Sequence, residues 1–268
     1  MKNEIKAFTY WECSPYRPTL PPYIACGLIT MQSILGCRFL LLTPSNLQNY
    51  IDFDFSTKDF YFAGQSDKEK DSISRITAKS DFIRFKYICD NGGIWMDADT
   101  IILKDFFNAL DPLLKLNRLV WHSEQFFGGQ CGINLVKTAV NNMLESQRQS
   151  YGNPGQIKGM LPQKTNEFVT FIPSSYFDPT GDGSYKAAKW EVAAHTGVEL
   201  NDFLRNKNCR IIKIYNSMLS TKDFSRLSVS DFLETNTLLS KIFLYINSDK
   251  YFWIEEAEAL SGMLQVKN

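Results

Sequence analysis

The stretch from Ala78 to Lys104, AKSDFIRFKYICDNGGIWMDADTIILK, constrains the fold more than any other part of this chain. From Ile76 to Asp90 there is no Pro or Gly, and apolar residues recur on a helical period. Asn91-Gly92-Gly93 ends that helix, because glycine accepts the left-handed backbone found at helix termini. Ile94, Trp95 and Met96 then suit a buried strand, which runs into Asp97-Ala98-Asp99 before Thr100 to Leu103 resumes the apolar run. Helix, tight turn and apolar strand in succession are the parts of an α/β fold.

Two carboxylates at the end of an apolar strand need a reason, since buried charge is costly unless paired or bound to a cation. Side chains at i and i+2 of an extended segment point the same way, so Asp97 and Asp99 are expected to share one target. Hard oxygen donors of this kind suit Mg²⁺ or Mn²⁺. Asp81 and Arg84, three apart on the preceding helix, share one face. A metal-bound diphosphate would use such a set of acids and guanidinium. An isolated D-x-D also occurs on solvated loops, and an exposed Asp81–Arg84 pair would contribute at most a few tenths of a kcal/mol, about 0.2–0.5. The surrounding block separates this case from those.

Ser80-Asp81-x-x-Arg84 followed by Gly92-Gly93-Ile94-Trp95-x-Asp97-x-Asp99 resembles the sugar-binding D-x-D glycosyltransferases. These include the bacterial capsular-polysaccharide-synthesis family, the Och1-like mannosyltransferases and, more distantly, the glucosyltransferase domain of the large clostridial toxins. The resemblance is nearest to the capsular-polysaccharide-synthesis proteins and covers about residues 6 to 140. It implies a GT-A-like α/β fold: a mainly parallel nucleotide-binding sheet flanked by helices, with a helical C-terminal part. It implies that Asp99 ligates Mn²⁺ or Mg²⁺ directly and that Asp97 lies near the ribose or the metal. Ser80, Asp81, Arg84 and Trp95 would contact the donor, with Asp97, Asp99 and Arg84 as the catalytic set. The donor would be a sugar nucleotide (UDP-hexose or GDP-mannose), the acceptor a glycan or lipid-linked glycan, and transfer would retain anomeric configuration.

The rest of the chain fits one domain, with a nucleotide-binding half over about residues 1–125 and an acceptor or accessory half over about 126–268. Ile5 to Trp11 reads as the first strand. Trp11 matches the aromatic that stacks on the nucleotide base in the resembling families, and core packing is the alternative. Pro21-Pro22 opens a helix over Tyr23 to Leu35 that Gly36 ends. Arg38 to Thr43 is a buried strand, completing a βαβ unit with a parallel pair. Gly64 to Asp71 (GQSDKEKD) reads as an exposed loop and Ser123 to Gly132 as a flexible, glycine-rich one. Further strands are expected over Arg118 to His122, Phe168 to Pro173 and Arg210 to Tyr215, and a helix over Lys137 to Ser150. The tail beyond Phe224 reads as helical. A Gly-Pro element borders the active site in Och1-like enzymes, and Asn153-Pro154-Gly155 is a loose counterpart. The families also add a late polar ligand to the metal or the diphosphate. Asn216, with Ser217, is the candidate by position, and His195 and His122 are the alternatives.

With 29 Lys and Arg against 29 Asp and Glu there is no net charge, and no basic run marks a nucleic-acid partner. The six cysteines lack metal-finger spacing and several sit in apolar stretches, so a reduced cytoplasmic setting is expected. No signal-peptide or transmembrane pattern is evident, which allows a peripheral contact at the inner membrane face without a span. Three other functions compete. An aspartate-nucleophile phosphohydrolase needs D-x-D-x-[TV], and Ile101 stands in its final place. A phosphosugar transferase of capsule assembly would share the metal and diphosphate chemistry, and a silent glycan-binding scaffold would not.

Overall fold

The computed structural model describes residues 4–13, 18–55, 68–146, 157–183 and 196–264. In chain order the main elements are β1 (Ala7–Tyr10), α1 (Pro22–Leu35), β2 (Phe39–Leu42), α2 (Lys68–Asn91), β3 (Gly93–Met96), β4 (Thr100–Ile102) and α3 (Phe107–Leu114). There follow β5 (Leu119–Ser123), β6 (Phe126–Gly129), α4 (Asn134–Ser146), α5 (Ile157–Met160), β7 (Val169–Phe171), α6 (Leu200–Phe203), β8 (Ile211–Lys213), α7 (Asn216–Leu219), α8 (Val229–Glu234), α9 (Leu238–Ile246) and α10 (Lys250–Leu264). Packing groups the chain into two interleaved units.

The first unit takes Met1–Arg17, Arg38–Asp97 and Phe107–Ile172. Its six-stranded sheet has the order β2-β1-β3-β6-β5-β7. β1 is parallel to both β2 and β3, and β7 is parallel to β5. β6 runs antiparallel between β3 and β5. The mixed α/β architecture with a mostly parallel sheet is thus present. Helix α2 packs on α4 and on the sheet. Ala78, Phe82 and Phe85 on α2 join Phe8, Trp95, Phe127, Val136 and Met143 in one core. A fully buried Phe stabilises by about 1.5–3 kcal/mol, so this cluster dominates the unit.

Two stretches that read as loops hold regular structure. α2 begins at Lys68, inside the run read as an exposed loop, because Lys and Glu are good helix formers that need no apolar period to continue a helix. Residues 64–67 lie outside the described set. Phe126–Gly129, read as part of a flexible loop, is a fully buried strand. Its glycines serve close approach: a Cβ on Gly128 would fall 2.1 Å from the Gly93 carbonyl oxygen. Just before β3, Gly92 turns the chain with φ of 71° and its N–H closes the helix on the Ile88 carbonyl at 3.0 Å. Arg38 ties the sheet edge to α3. Its guanidinium forks onto Asp111 at 2.7 and 2.8 Å, reaches the Ile5 carbonyl and lies 3.3 Å over the Phe107 ring.

The second unit takes Pro18–Cys37, Ala98–Phe106 and Pro173–Asn268. The helix expected to complete a βαβ unit, α1, belongs here and packs on β4, α8 and α10. Gly27 lets it approach β4, since a Cβ there would sit 2.8 Å from the Thr100 carbonyl oxygen. One turn on, buried Thr30 accepts the Ile102 N–H at 3.0 Å. β4 pairs antiparallel with β8 in a two-stranded sheet of its own. The late strand is therefore shorter than Arg210 to Tyr215. The C-terminal part is helical, and Phe232, Leu233, Leu238, Leu239, Ile242 and Phe243 are buried in it. Ser228 and Thr237 cap α8 and α9 through their hydroxyls. No described helix is long and apolar enough to cross a membrane.

Candidate functional site

The acidic pair does not lie on one extended segment. β3 ends at Met96, the chain bends at Ala98–Asp99, and β4 starts at Thr100 in the other sheet. The i, i+2 rule that aligned Asp97 with Asp99 therefore does not apply. Each carboxylate has its own set of neighbours, Asp97 in the first unit and Asp99 in the second.

In the first unit α2 and β3 bring Asp81, Arg84, Trp95 and Asp97 together. Arg84 Nη2 lies 2.6 Å from Asp81 Oδ1, and both side chains are about nine-tenths buried, 7% and 11% exposed. This is not the solvated helical pair that sequence spacing alone describes. Arg84 Nη1 donates to the Glu124 carbonyl at 2.9 Å and lies 3.7 Å from Asp97 Oδ1. Trp95 is core, with its ring edge-on to Phe8, and its indole N–H donates to Asp97 Oδ1 at 2.7 Å. Asp97 N–H in turn donates to the Gln125 carbonyl at 3.1 Å. The Glu124–Gln125 backbone thus braces both Arg84 and Asp97, a role no local pattern announces.

Ser80 is half-buried on α2, one residue before Asp81. Trp11 is half-buried beyond β1, and its backbone N–H extends the parallel ladder to the Leu42 carbonyl at 3.0 Å. Nearby, Lys79 Nζ bonds Glu12 at 2.8 Å and lies 5.6 Å from both the Tyr10 and Phe55 rings. Burial pushes the Tyr10 hydroxyl up, reinforced by the negative charge of Glu12.

In the second unit the turn after β8 closes around Asp99. Lys213 Nζ pairs with Asp99 Oδ1. The Asn216 N–H donates to Oδ2 at 2.6 Å, and the Ile214 N–H donates to the Asp99 carbonyl at 2.9 Å. Tyr215 adopts a left-handed backbone, φ 47°, to make this turn. Asn216 Oδ1 accepts the Tyr23 hydroxyl at 2.7 Å, which fixes its amide. Asp99 and Asn216 are therefore neighbours. Lys213 and Tyr23 were not singled out by sequence, because their approach depends on the β4–β8 pairing and on α1.

Burial pushes the His122 imidazole down to about 4, so it is neutral at neutral pH; its Nδ1 lies 3.2 Å from Ser123 Oγ. His195 and Asn153-Pro154-Gly155 lie outside the described residues. Among the described residues no three His, Cys, Asp or Glu side chains gather as a ready-made metal cluster. All six cysteines are free thiols.

Residues 21–127 match the family model described as capsular polysaccharide synthesis protein. That span includes Asp81, Arg84, Asp97 and Asp99, and excludes Trp11 and Asn216. No curated protein matches the sequence. Among solved structures, the chain is similar to the glycosyltransferase GlyE of Streptococcus pneumoniae TIGR4, with a TM-score of 0.48 and 10% identity. The apo form of the same protein gives a TM-score of 0.48 and 12% identity. In both cases 98% of this chain is covered, and the chain spans 65% of the length of the matched structure.

Proposed function

We propose, from the capsular-polysaccharide-synthesis match over residues 21–127, that this chain is a metal-dependent glycosyltransferase. It would move a hexose from a sugar nucleotide to a capsule or lipopolysaccharide acceptor, with retention. The observation that supports this reading best is the placement of the motif residues. Asp81, Arg84, Asp97 and Asp99 all fall in the matched span, and Asp81 and Asp99 each lie against a cationic group.

The donor set fits a hard divalent cation. Asp99 supplies a carboxylate, Asn216 an amide oxygen oriented by Tyr23, and the Lys213 ammonium already stands in as a cation at Asp99. Asp99 and Asn216 are the ligands we assign to Mn²⁺ or Mg²⁺, with Asp97 also a candidate from its place two residues earlier in the sequence. When bound, such an ion stabilises the charge that the nucleoside diphosphate gains as the sugar–phosphate bond breaks. We assign Asp81, Arg84 and Asp97 to the donor's sugar and diphosphate, since the planar fork of Arg84 suits their oxygens. Ser80 lies one residue from Asp81. Trp95 acts from the core by orienting Asp97 through its indole N–H. Trp11 is assigned to the base. A lipid-linked glycan as acceptor would put the enzyme at the inner membrane face.

Purified protein incubated with Mn²⁺ and a panel of UDP- and GDP-sugars tests the assignment through release of UDP or GDP. Metal-dependent release from one donor, stopped by EDTA, is expected. Asp99→Asn keeps an oxygen for the Asn216 N–H and should lower the rate at least about a hundredfold, with circular dichroism of the variant establishing that it folds. Release from no donor, with no nucleotide binding by calorimetry, would overturn the reading in favour of a scaffold.

A further inference from the structure

Asp99 meets a positive charge before any metal is bound. Lys213 Nζ pairs with its Oδ1, and these side chains are 12% and 15% exposed, so water screens the pair only partly. The pair is built in by the backbone. Lys213 closes the β4–β8 ladder opposite Thr100, the residue next to Asp99. The Ile214 and Asn216 N–H groups hold the carbonyl and carboxylate of the same aspartate at 2.9 and 2.6 Å. The left-handed residue Tyr215 fixes the turn between them, and its ring lies 5.6 Å from Lys213 Nζ.

We propose that Lys213 is an internal competitor for the divalent cation at Asp99, and that it couples metal binding to binding of the donor's diphosphate. The proposal rests on the transferase reading above. A dication that takes Asp99 must displace the ammonium or sit beside it, and either costs free energy in a partly buried site. A diphosphate offers the displaced ammonium a new anionic partner, so nucleotide and metal each strengthen the other's binding by the same factor. With no diphosphate present, the ammonium keeps Asp99 neutralised and the metal binds weakly. Lys213 is in this sense a positioning residue, setting how the site fills and in what company.

Mn²⁺ binding, followed by calorimetry and by the electron paramagnetic resonance of free Mn²⁺, tests this directly, with and without UDP and GDP. Lys213→Met keeps the apolar stem and removes the charge; Lys213→Arg keeps the charge. Without nucleotide, Lys213→Met should bind Mn²⁺ about tenfold more tightly than the wild type, while Lys213→Arg should remain weak. Nucleotide should tighten Mn²⁺ binding in the wild type and much less in Lys213→Met. Circular dichroism of both variants establishes that they fold, and Lys213→Gln replaces Lys213→Met if it does not. Equal Mn²⁺ affinity in wild type and Lys213→Met, lost in Asp99→Asn, would overturn the competitor role and leave the metal site standing. No Asp99-dependent Mn²⁺ binding in any of them, with or without nucleotide, would overturn the metal reading itself.

Discussion

At the scale of single residues, burial changes what Asp81 and Arg84 mean. Spaced three apart on a helix, they read as a surface pair of little energetic weight. In the fold they are about nine-tenths buried and joined at 2.6 Å, and Arg84 also carries the Glu124 carbonyl and faces Asp97. Removing one partner of a buried pair leaves a charge in a poor solvent and costs about 3–5 kcal/mol, whereas replacing both by apolar groups costs far less. Arg84→Met should therefore destabilise by about that amount, and the Asp81→Leu/Arg84→Met double variant by clearly less than the sum of the single ones. Denaturant unfolding of the wild type, both single variants and the double variant measures the coupling. Strict additivity would show that the two side chains do not depend on each other. What the sequence could not carry at this scale was depth. The residue types and spacing of Asp81, Arg84, Asp97 and Asp99 are visible in one dimension, but which carboxylate sits against which cation is set by contacts such as Lys213 to Asp99, more than a hundred residues apart.

At the scale of elements, local pattern found most helices and strands and failed where an element exists for its neighbours' sake. α1 has its proline start and glycine stop, and α2, Gly92 and β3 follow the order of their residues. β6 does not: FFGG carries two glycines, which weaken an isolated strand, and their neighbours explain them, β3 at Gly128 and the Arg118 carbonyl with Ile133 at Gly129. Gly128→Ala should cost about 3 kcal/mol or more, because its Cβ would meet backbone 2.1 Å away that cannot yield without opening the sheet. Gly159→Ala is the control, since nothing lies within 4 Å of a Cβ there, and it should be close to neutral. Denaturation midpoints of the two variants against the wild type decide the matter. A harmless Gly128→Ala would mean that β3 and β6 are farther apart in solution. The same reasoning explains the bend at Ala98–Asp99. Thr100 to Ile102 looks like a continuation of β3, yet it finds its ladder with β8 and its N–H partner at Thr30, neither of which is local.

At the scale of the whole molecule, acid sensitivity follows from His122. Burial holds its imidazole near 4, whereas an unfolded histidine titrates near 6.5. The unfolded chain therefore takes up a proton between those values that the folded protein refuses, and stability falls as pH drops through that window. Well above a pH of about 6.5 both states are neutral at this group and it contributes no pH dependence. Between pH 7.5 and pH 5 the loss should be on the order of 2 kcal/mol, and His122→Gln should show a smaller loss over the same interval. Equal pH slopes in wild type and variant, measured by denaturant unfolding, would remove His122 as the cause. The interleaving of the two units has a consequence for how the chain comes off a ribosome. All three segments of the first unit have been made once Ile172 is reached, and that sheet can assemble while synthesis continues. The second unit has only α1 and the short stretch around β4 by then. Thr100 must wait for Lys213, and Asp99 and Tyr23 for Asn216, so these long loops close late. During synthesis the sheet can thus be set while the surroundings of one motif aspartate still wait for Lys213 and Asn216.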